Sequence, residues 1–324
     1  MSQATELTRS GVEAAYETIK SLVHRTPAIA SSSLSASLPG QNTLYFKAEN
    51  LQKGGAFKFR GASHSLERLT QDQLQRGVCT HSSGNHAGAL ALAAKERGAA
   101  CYVVMPSNSS QPKIAAVRAY GAAITFCEPT AAARAATLAA VQARTGATFV
   151  PPYDAVDTIL GQGTALLELL EQVPEPLAAV VVPVGGGGLL AGTALAADGT
   201  GVRVFGAEPA GAADCAQGLR QGARVEDVQA DTICDGLRTP VGALNFPVIR
   251  QRVEDVIVVS DEEVVEAMRL MWERLKLVVE PSSATAFAAV RSSAFQALNI
   301  KGPVGIIISG GNVDLSKPLP WMDK

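Results

Sequence analysis

Charged side chains are scarce in this chain, and aromatic ones scarcer: Asp, Glu, Lys and Arg make up 18% of the 324 residues, and Phe, Trp and Tyr 5%. The 30 acidic and 28 basic groups nearly cancel, leaving a net charge of -2. No basic block with interleaved aromatics is present to follow a phosphate backbone, so nucleic acid is not an expected partner. No apolar run reaches the ~18 to 20 residues that a membrane span requires, and the stretch from Met1 to Arg9 has no apolar signal region. The expectation is a soluble, cytoplasmic protein that meets no membrane. Cys79, Cys101, Cys127, Cys215 and Cys234 are odd in number and far apart, with no CxxC pair and no histidine at ligand spacing. That pattern excludes a disulfide framework and a thiolate metal centre, and predicts reduced, structural thiols.

Glycine and aliphatic residues are what the chain has in quantity. Four consecutive glycines, Gly185 to Gly188, follow the apolar run Ala179-Val-Val-Val-Pro-Val184 and precede Leu189-Leu-Ala-Gly-Thr-Ala194. This reads as a buried strand turning into a helix with bare main chain between them. N–H groups at a helix N-terminus lack partners and face the positive end of the helix dipole, and glycine lets an anion come close. Gly186-x-Gly188-x-x-Ala191 also fits the dinucleotide fingerprint, with Glu208 placed for a ribose hydroxyl, so a nicotinamide reading stands beside the phosphate one.

Strand-like and helix-like runs alternate along the chain. Cys101 to Met105, Pro112 to Tyr120, Ala122 to Phe126, a helix ending near Gly146, and Thr148 to Val150 form one βαβαβ unit. The alternation resumes with Ala179–Val184, Val202–Gly206, Val256–Val259 and Val304–Ile308. Ser260 with Glu263 forms a capping box that opens a helix running through Leu275. The fold class is therefore α/β, with two domains of parallel or mostly parallel sheets flanked by helices. The predicted division is a discontinuous large domain, 1–74 with 149–324, and a small domain, 75–148, with the ligand in the cleft between them.

Two further segments carry chemistry. Lys58 lies within Lys53-Gly-Gly-Ala-Phe-Lys-Phe-Arg-Gly-Ala62, where Phe57 and Phe59 would desolvate its amine and lower its pKa. Ser82-Ser-Gly-Asn-His86 precedes a helix from Ala87 to Arg97 and offers hydroxyls, an amide and helix-end N–H groups; ordinary capping by Ser83 or Asn85 would explain it equally well.

With these motifs in family order, from Phe46-Lys-Ala-Glu-Asn-Leu-Gln-Lys53 to Ser309-Gly-Gly-Asn-Val-Asp314, nearly the whole chain resembles the pyridoxal-phosphate (PLP) enzymes of the tryptophan-synthase β-subunit fold, fold type II. Within them it resembles the threonine/serine dehydratase and serine racemase family. The resemblance implies PLP in the interdomain cleft, bound to Lys58 as an imine, with Phe57 against its ring and Asn85 on its phenolic oxygen. Gly185, Gly186, Gly187 and Gly188 would hold the phosphate, Ser309 would face the pyridine nitrogen, and Glu280 would lie near the ring. Ser82, Ser83, Gly84, Asn85 and His86 would bind the substrate carboxylate, and Ser83 would be a second acid/base opposite Lys58.

Glu208, Asp214 and the Ala212 carbonyl match the family's cation pattern, an all-oxygen set suited to Mg2+ or Ca2+. This removes Glu208 from the ribose role, and the nicotinamide reading leaves Lys58 and Ser309 unexplained. Asp235-Gly-Leu-Arg-Thr239 resembles the segment lining the cofactor cleft, and Arg134 aligns with a substrate-side arginine of racemases. No regulatory domain follows Trp321, which suggests a catabolic, single-module enzyme, and the resemblance alone implies a homodimer.

Val150-Pro-Pro-Tyr-Asp154 has the bacterial dehydratase form rather than the His-Pro-Asn form of animal racemases. The expected activity is thus a PLP-dependent ammonia-lyase for L-threonine or L-serine, a small amino acid substrate. The alternatives are a serine racemase with dehydratase side activity, a dehydratase for phenylserine or 3-hydroxyaspartate, a PLP-binding protein without turnover and, remotely, an NAD-dependent oxidoreductase.

Overall fold

A computed structural model describes residues 6–40 and 42–322. The strands among them are β1 (Ala28–Ala30), β2 (Leu44–Ala48), β3 (Val78–His81), β4 (Cys101–Pro106), β5 (Ala123–Cys127), β6 (Thr148–Phe149), β7 (Ala179–Pro183), β8 (Arg203–Pro209), β9 (Asp255–Val259) and β10 (Val304–Ile308). They form a six-stranded sheet ordered β1-β2-β10-β7-β8-β9 and a four-stranded sheet ordered β5-β4-β3-β6. Of these strands, only the edge strand β1 runs antiparallel to its neighbour.

Helices cover both faces of the large sheet, and its central strands are apolar without a break for that reason. Val180 and Val182 of β7 pack with Ile307 on one side, against Leu160, Leu166 and Leu190. Val181 packs with Ile306 and Ile308 on the other, against Phe205, Phe287 and Met268. The helix Gly188–Ala197 is buried along its whole length, which suits its all-round apolar sequence. It crosses the helix Val156–Gln172 so closely that a Cβ on Gly192 would stand 2.3 Å from the Ile159 carbonyl.

The expected capping box at Ser260 and Glu263 is present and opens the helix Asp261–Leu275. The small sheet differs from the simple alternation read along the chain. β6 does not continue outward from β5; it returns to the opposite edge and pairs with β3. Val78-Cys-Thr-His81 is short and ends in polar residues, so its apolar signal is weak, yet it is the inner strand against which both β4 and β6 build. β1 and β2 likewise carry little strand signal, because β1 is three residues long and the residues after Phe46 alternate with charge.

Candidate active site

Lys58 opens the helix Lys58–Glu67. The chain just before it is stitched onto the end of β10: Ala56 bridges Gly310, and the Phe57 N–H donates to the Ser309 carbonyl at 3.0 Å. This places Lys58 beside Ser309, far from it in sequence. The Lys58 amine donates to the Pro152 carbonyl at 2.6 Å and stands 5.0 Å from the centre of the Phe57 ring. Burial pulls its pKa down to about 8, with Glu280 opposing the shift. Phe59, expected on the other flank, is turned into the core instead, and Lys53 lies over its ring.

The four glycines connect β7 to the helix Gly188–Ala197, and Gly187 adopts φ +86° as its N-cap. Among the described residues, the N–H groups of Gly185, Gly186, Gly187 and Gly188 donate to no protein acceptor. A Cβ would collide on three of the four: on Gly186 it would lie 2.3 Å from the Tyr153 ring, on Gly185 2.9 Å from Leu237 Cα, and on Gly188 2.9 Å from the Tyr153 carbonyl. Thus Tyr153 and the segment Asp235-Gly-Leu-Arg-Thr239 close around a bare main-chain cradle.

A second set of unengaged donors lies at the start of the helix Asn85–Arg97. Ser82 Oγ accepts the Gly84 N–H at 3.3 Å, while the N–H groups of Ser83, Asn85 and His86 find no protein partner among the described residues. No side chain caps this helix, so the capping explanation of Ser83 and Asn85 fails. Ser83 is exposed. His86 is buried and linked through Nε2 to the Val150 carbonyl at 3.0 Å; burial first, and Lys58 second, push its pKa down to about 3. Its imidazole is therefore neutral and held to the Val150 carbonyl, while its Nδ1 and its main-chain N–H have no protein partner among the described residues.

Glu280, Asn85 and Asn312 form one hydrogen-bonded group. Asn85 Nδ2 donates to Glu280 Oε1 at 2.7 Å, Asn312 Nδ2 to Asn85 Oδ1 at 2.9 Å, and the Asn312 N–H to Glu280 Oε2 at 3.2 Å. Burial raises Glu280 to about 7, with Asp235 adding to the shift. The Ser309 hydroxyl, also buried, donates to Ser283 Oγ at 3.4 Å. Lys113 of the helix Gln111–Ala119, which packs on the small sheet, forms an ion pair with Asp235. Arg134 is half-buried and makes no ion pair among the described residues, although its charge adds to the burial that depresses the pKa of His81.

Glu208 lies in β8 and accepts the N–H groups of Cys215 at 3.0 Å and Ala216 at 2.9 Å. Asp214 accepts the Val241 N–H at 2.9 Å. Burial raises Glu208 to about 8, with main-chain hydrogen bonds opposing and Asp214 reinforcing the shift, and burial also raises Asp214. Neither carboxylate has an ion-pair partner among the described residues. All five cysteines are buried and unpaired.

Several contributors carry no signal in the sequence. The Pro152 carbonyl is main chain, and the Tyr153 ring meets the glycines only through folding. Asn312 sits inside the Ser309–Asp314 segment, where a polar residue after a strand end is the available clue.

The family described as "Pyridoxal-phosphate dependent enzyme" matches residues 19–310. The chain is 43% identical over 320 residues to a serine racemase of Dictyostelium discoideum, covering 98% of each. It is 44% identical over 312 residues to a beta-hydroxyaspartate dehydratase of Paracoccus denitrificans, covering 95% of this chain and 96% of that one. Among solved structures, maize serine racemase superposes with a TM-score of 0.92 at 44% identity, over 95% of this chain and 94% of that one. No helix among the described residues is long and apolar enough to cross a membrane.

Proposed function

The chain belongs to the pyridoxal-phosphate dependent enzymes, in the group of serine racemases and dehydratases, and from that premise we infer that it removes water from a β-hydroxy-α-amino acid, L-serine or L-threonine, releasing a 2-oxo acid and ammonia. The observation that carries this reading is the Lys58 amine, lowered to about 8 and held by the Pro152 carbonyl at the rim of two sets of unengaged N–H groups. An amine for an aldehyde, a helix N-terminus for a phosphate and an amide for a phenolic oxygen are the donor chemistry this cofactor requires.

Bound there, PLP would supply an electron sink that acidifies the Cα–H of a bound amino acid. Lys58 would hold the aldehyde, and its neutral amine is the base that would take the α-proton. Gly185 to Gly188 hold the phosphate. Asn85 would offer the phenolic oxygen the Nδ2 hydrogen that Glu280 does not take, and Phe57 and Glu280 would flank the ring. Ser309 would present a neutral hydroxyl, rather than a carboxylate, to the pyridine nitrogen. The N–H groups of Ser83, Asn85 and His86 take the substrate carboxylate, in a turn fixed by Ser82, Gly84 and the His86 ring. Glu208, Asp214 and the Ala212 carbonyl suit Mg2+ or Ca2+, which would supply the charge that two buried, unpaired carboxylates lack.

Serine racemisation is the second reading, favoured by the serine racemases among the relatives and by the Ser83 hydroxyl, exposed and without a protein partner. A second acid/base on the face away from Lys58 would return the proton with inverted configuration. Following pyruvate and D-serine together from L-serine tests both readings. Pyruvate is expected in excess, Lys58→Ala to lower both products by roughly 10^2- to 10^4-fold, and Ser83→Ala to remove D-serine while retaining pyruvate. D-serine in excess would make racemisation the main activity, and neither a 2-oxo acid nor a D-amino acid from L-serine or L-threonine would overturn both readings.

A further inference from the structure

We propose that Asn245 is a positioning residue for the cofactor phosphate, acting through the peptide plane between Gly186 and Gly187. Asn245 opens the helix Asn245–Arg252 and is fully buried. Its Nδ2 donates to the Gly186 carbonyl at 2.7 Å and to the Tyr153 carbonyl at 3.3 Å, and the Gly242 N–H donates to the same Gly186 oxygen at 3.1 Å. A trans peptide is rigid, with its C=O and N–H pointing in opposite directions. Two donors on the Gly186 oxygen therefore turn that carbonyl away from the cradle and aim the Gly187 N–H into it, where it has no protein acceptor.

Three details single out asparagine at this position. Both neighbours of Nδ2 are carbonyls, so only the NH2 end of the amide fits there. An aspartate would set a carboxylate against two carbonyl oxygens, and a leucine would leave the Gly186 oxygen with one donor. Asn245 Oδ1 has no partner among the described residues, a cost of burial that a purely structural role would favour removing. Contact is also direct, since a Cβ on Gly187 would lie 3.1 Å from Asn245 Cβ. Asp154 locks the arrangement by accepting the N–H groups of Ala243 at 3.0 Å and Leu244 at 2.9 Å. The acidic end of Val150-Pro-Pro-Tyr-Asp154 thus docks the Asn245 helix onto the glycine turn.

The inference rests on the reading that Gly185 to Gly188 hold the phosphate, and the test separates the two. The full-length chain, freed of cofactor, is titrated with PLP and with pyridoxal, which has the same aldehyde and ring but no phosphate. The wild type is expected to prefer PLP; equal affinities would overturn the cradle reading itself. In Asn245→Ala the ratio of the two affinities is expected to fall about tenfold or more through loss of PLP binding, with pyridoxal binding unchanged. A wild-type preference retained in Asn245→Ala, or an equal loss for both ligands, would overturn the role of Asn245 while leaving the cradle standing. Asn245→Ser, which removes less volume, is judged on the same ratio if the alanine variant does not fold. Should neither variant fold, Asn245 belongs to the core and the proposal fails.

Discussion

Lys58 differs from a surface lysine only in its surroundings, and those make its chemistry measurable. An amine attacks an aldehyde only when neutral, and burial brings the Lys58 pKa from 10.5 to about 8. In the cofactor-free chain, the rate of PLP capture should rise about tenfold between pH 7 and pH 9 and level off above pH 8. A lysine at its ordinary pKa would give a rate climbing tenfold per pH unit throughout that range, so rapid-mixing absorbance traces distinguish the cases. Glu280 opposes the depression, so Glu280→Gln should move the midpoint to lower pH; a midpoint moving upward would contradict the arrangement. The motif around Lys58 is legible in the sequence. Its acceptor is not, because a carbonyl such as that of Pro152 leaves no side-chain trace, and the two flanking phenylalanines look alike until Phe59 turns into the core.

At the scale of elements, apolar continuity is the legible part. β7 and β10 are buried on both faces and read as unbroken aliphatic runs, and the Ser260 capping box sets a helix start from two residues. β3 is not legible because a four-residue strand ending in Thr80 and His81 carries too little periodicity, although the small sheet is built on it. The junction between β8 and the helix Asp214–Gln221 combines both cases: the resemblance points to Glu208 and Asp214, whereas only the fold shows that Glu208 also accepts N–H groups from that helix's first turn. If this junction takes a cation, millimolar Mg2+ or Ca2+ should raise the midpoint of thermal unfolding by a few degrees, as binding to the folded state alone requires. Glu208→Gln should abolish the response to added cation. A wild-type chain indifferent to both ions would remove the cation from the account.

Across the whole molecule, the least legible feature is a buried cluster of charge. Lys47, Glu49, Arg60 and Glu168 are each 0% exposed, and their separation in sequence gives no hint that they meet. Arg60 reaches both oxygens of Glu49 at 2.7 Å and both oxygens of Glu168 at 2.8 Å, while the Lys47 amine meets Glu168 at 2.6 Å and the Thr26 carbonyl at 2.6 Å. Two cations and two anions balance, and Arg60 holds Glu49 below the usual carboxylate range despite the opposing effect of burial. The cluster joins β2, the helix that starts at Lys58 and the helix Val156–Gln172, so the residue two places after Lys58 is anchored where water does not compete. Removing one partner of such a set leaves a buried charge uncompensated, which costs about 3–5 kcal/mol. Arg60→Met should therefore shift the urea midpoint of the cofactor-free chain strongly downward. Arg60→Lys should recover only part of the loss, since one ammonium cannot reproduce two bidentate contacts. A midpoint change worth less than about 1 kcal/mol in Arg60→Met, the range of an exposed ion pair, would show that the cluster does not hold the Lys58 helix in place.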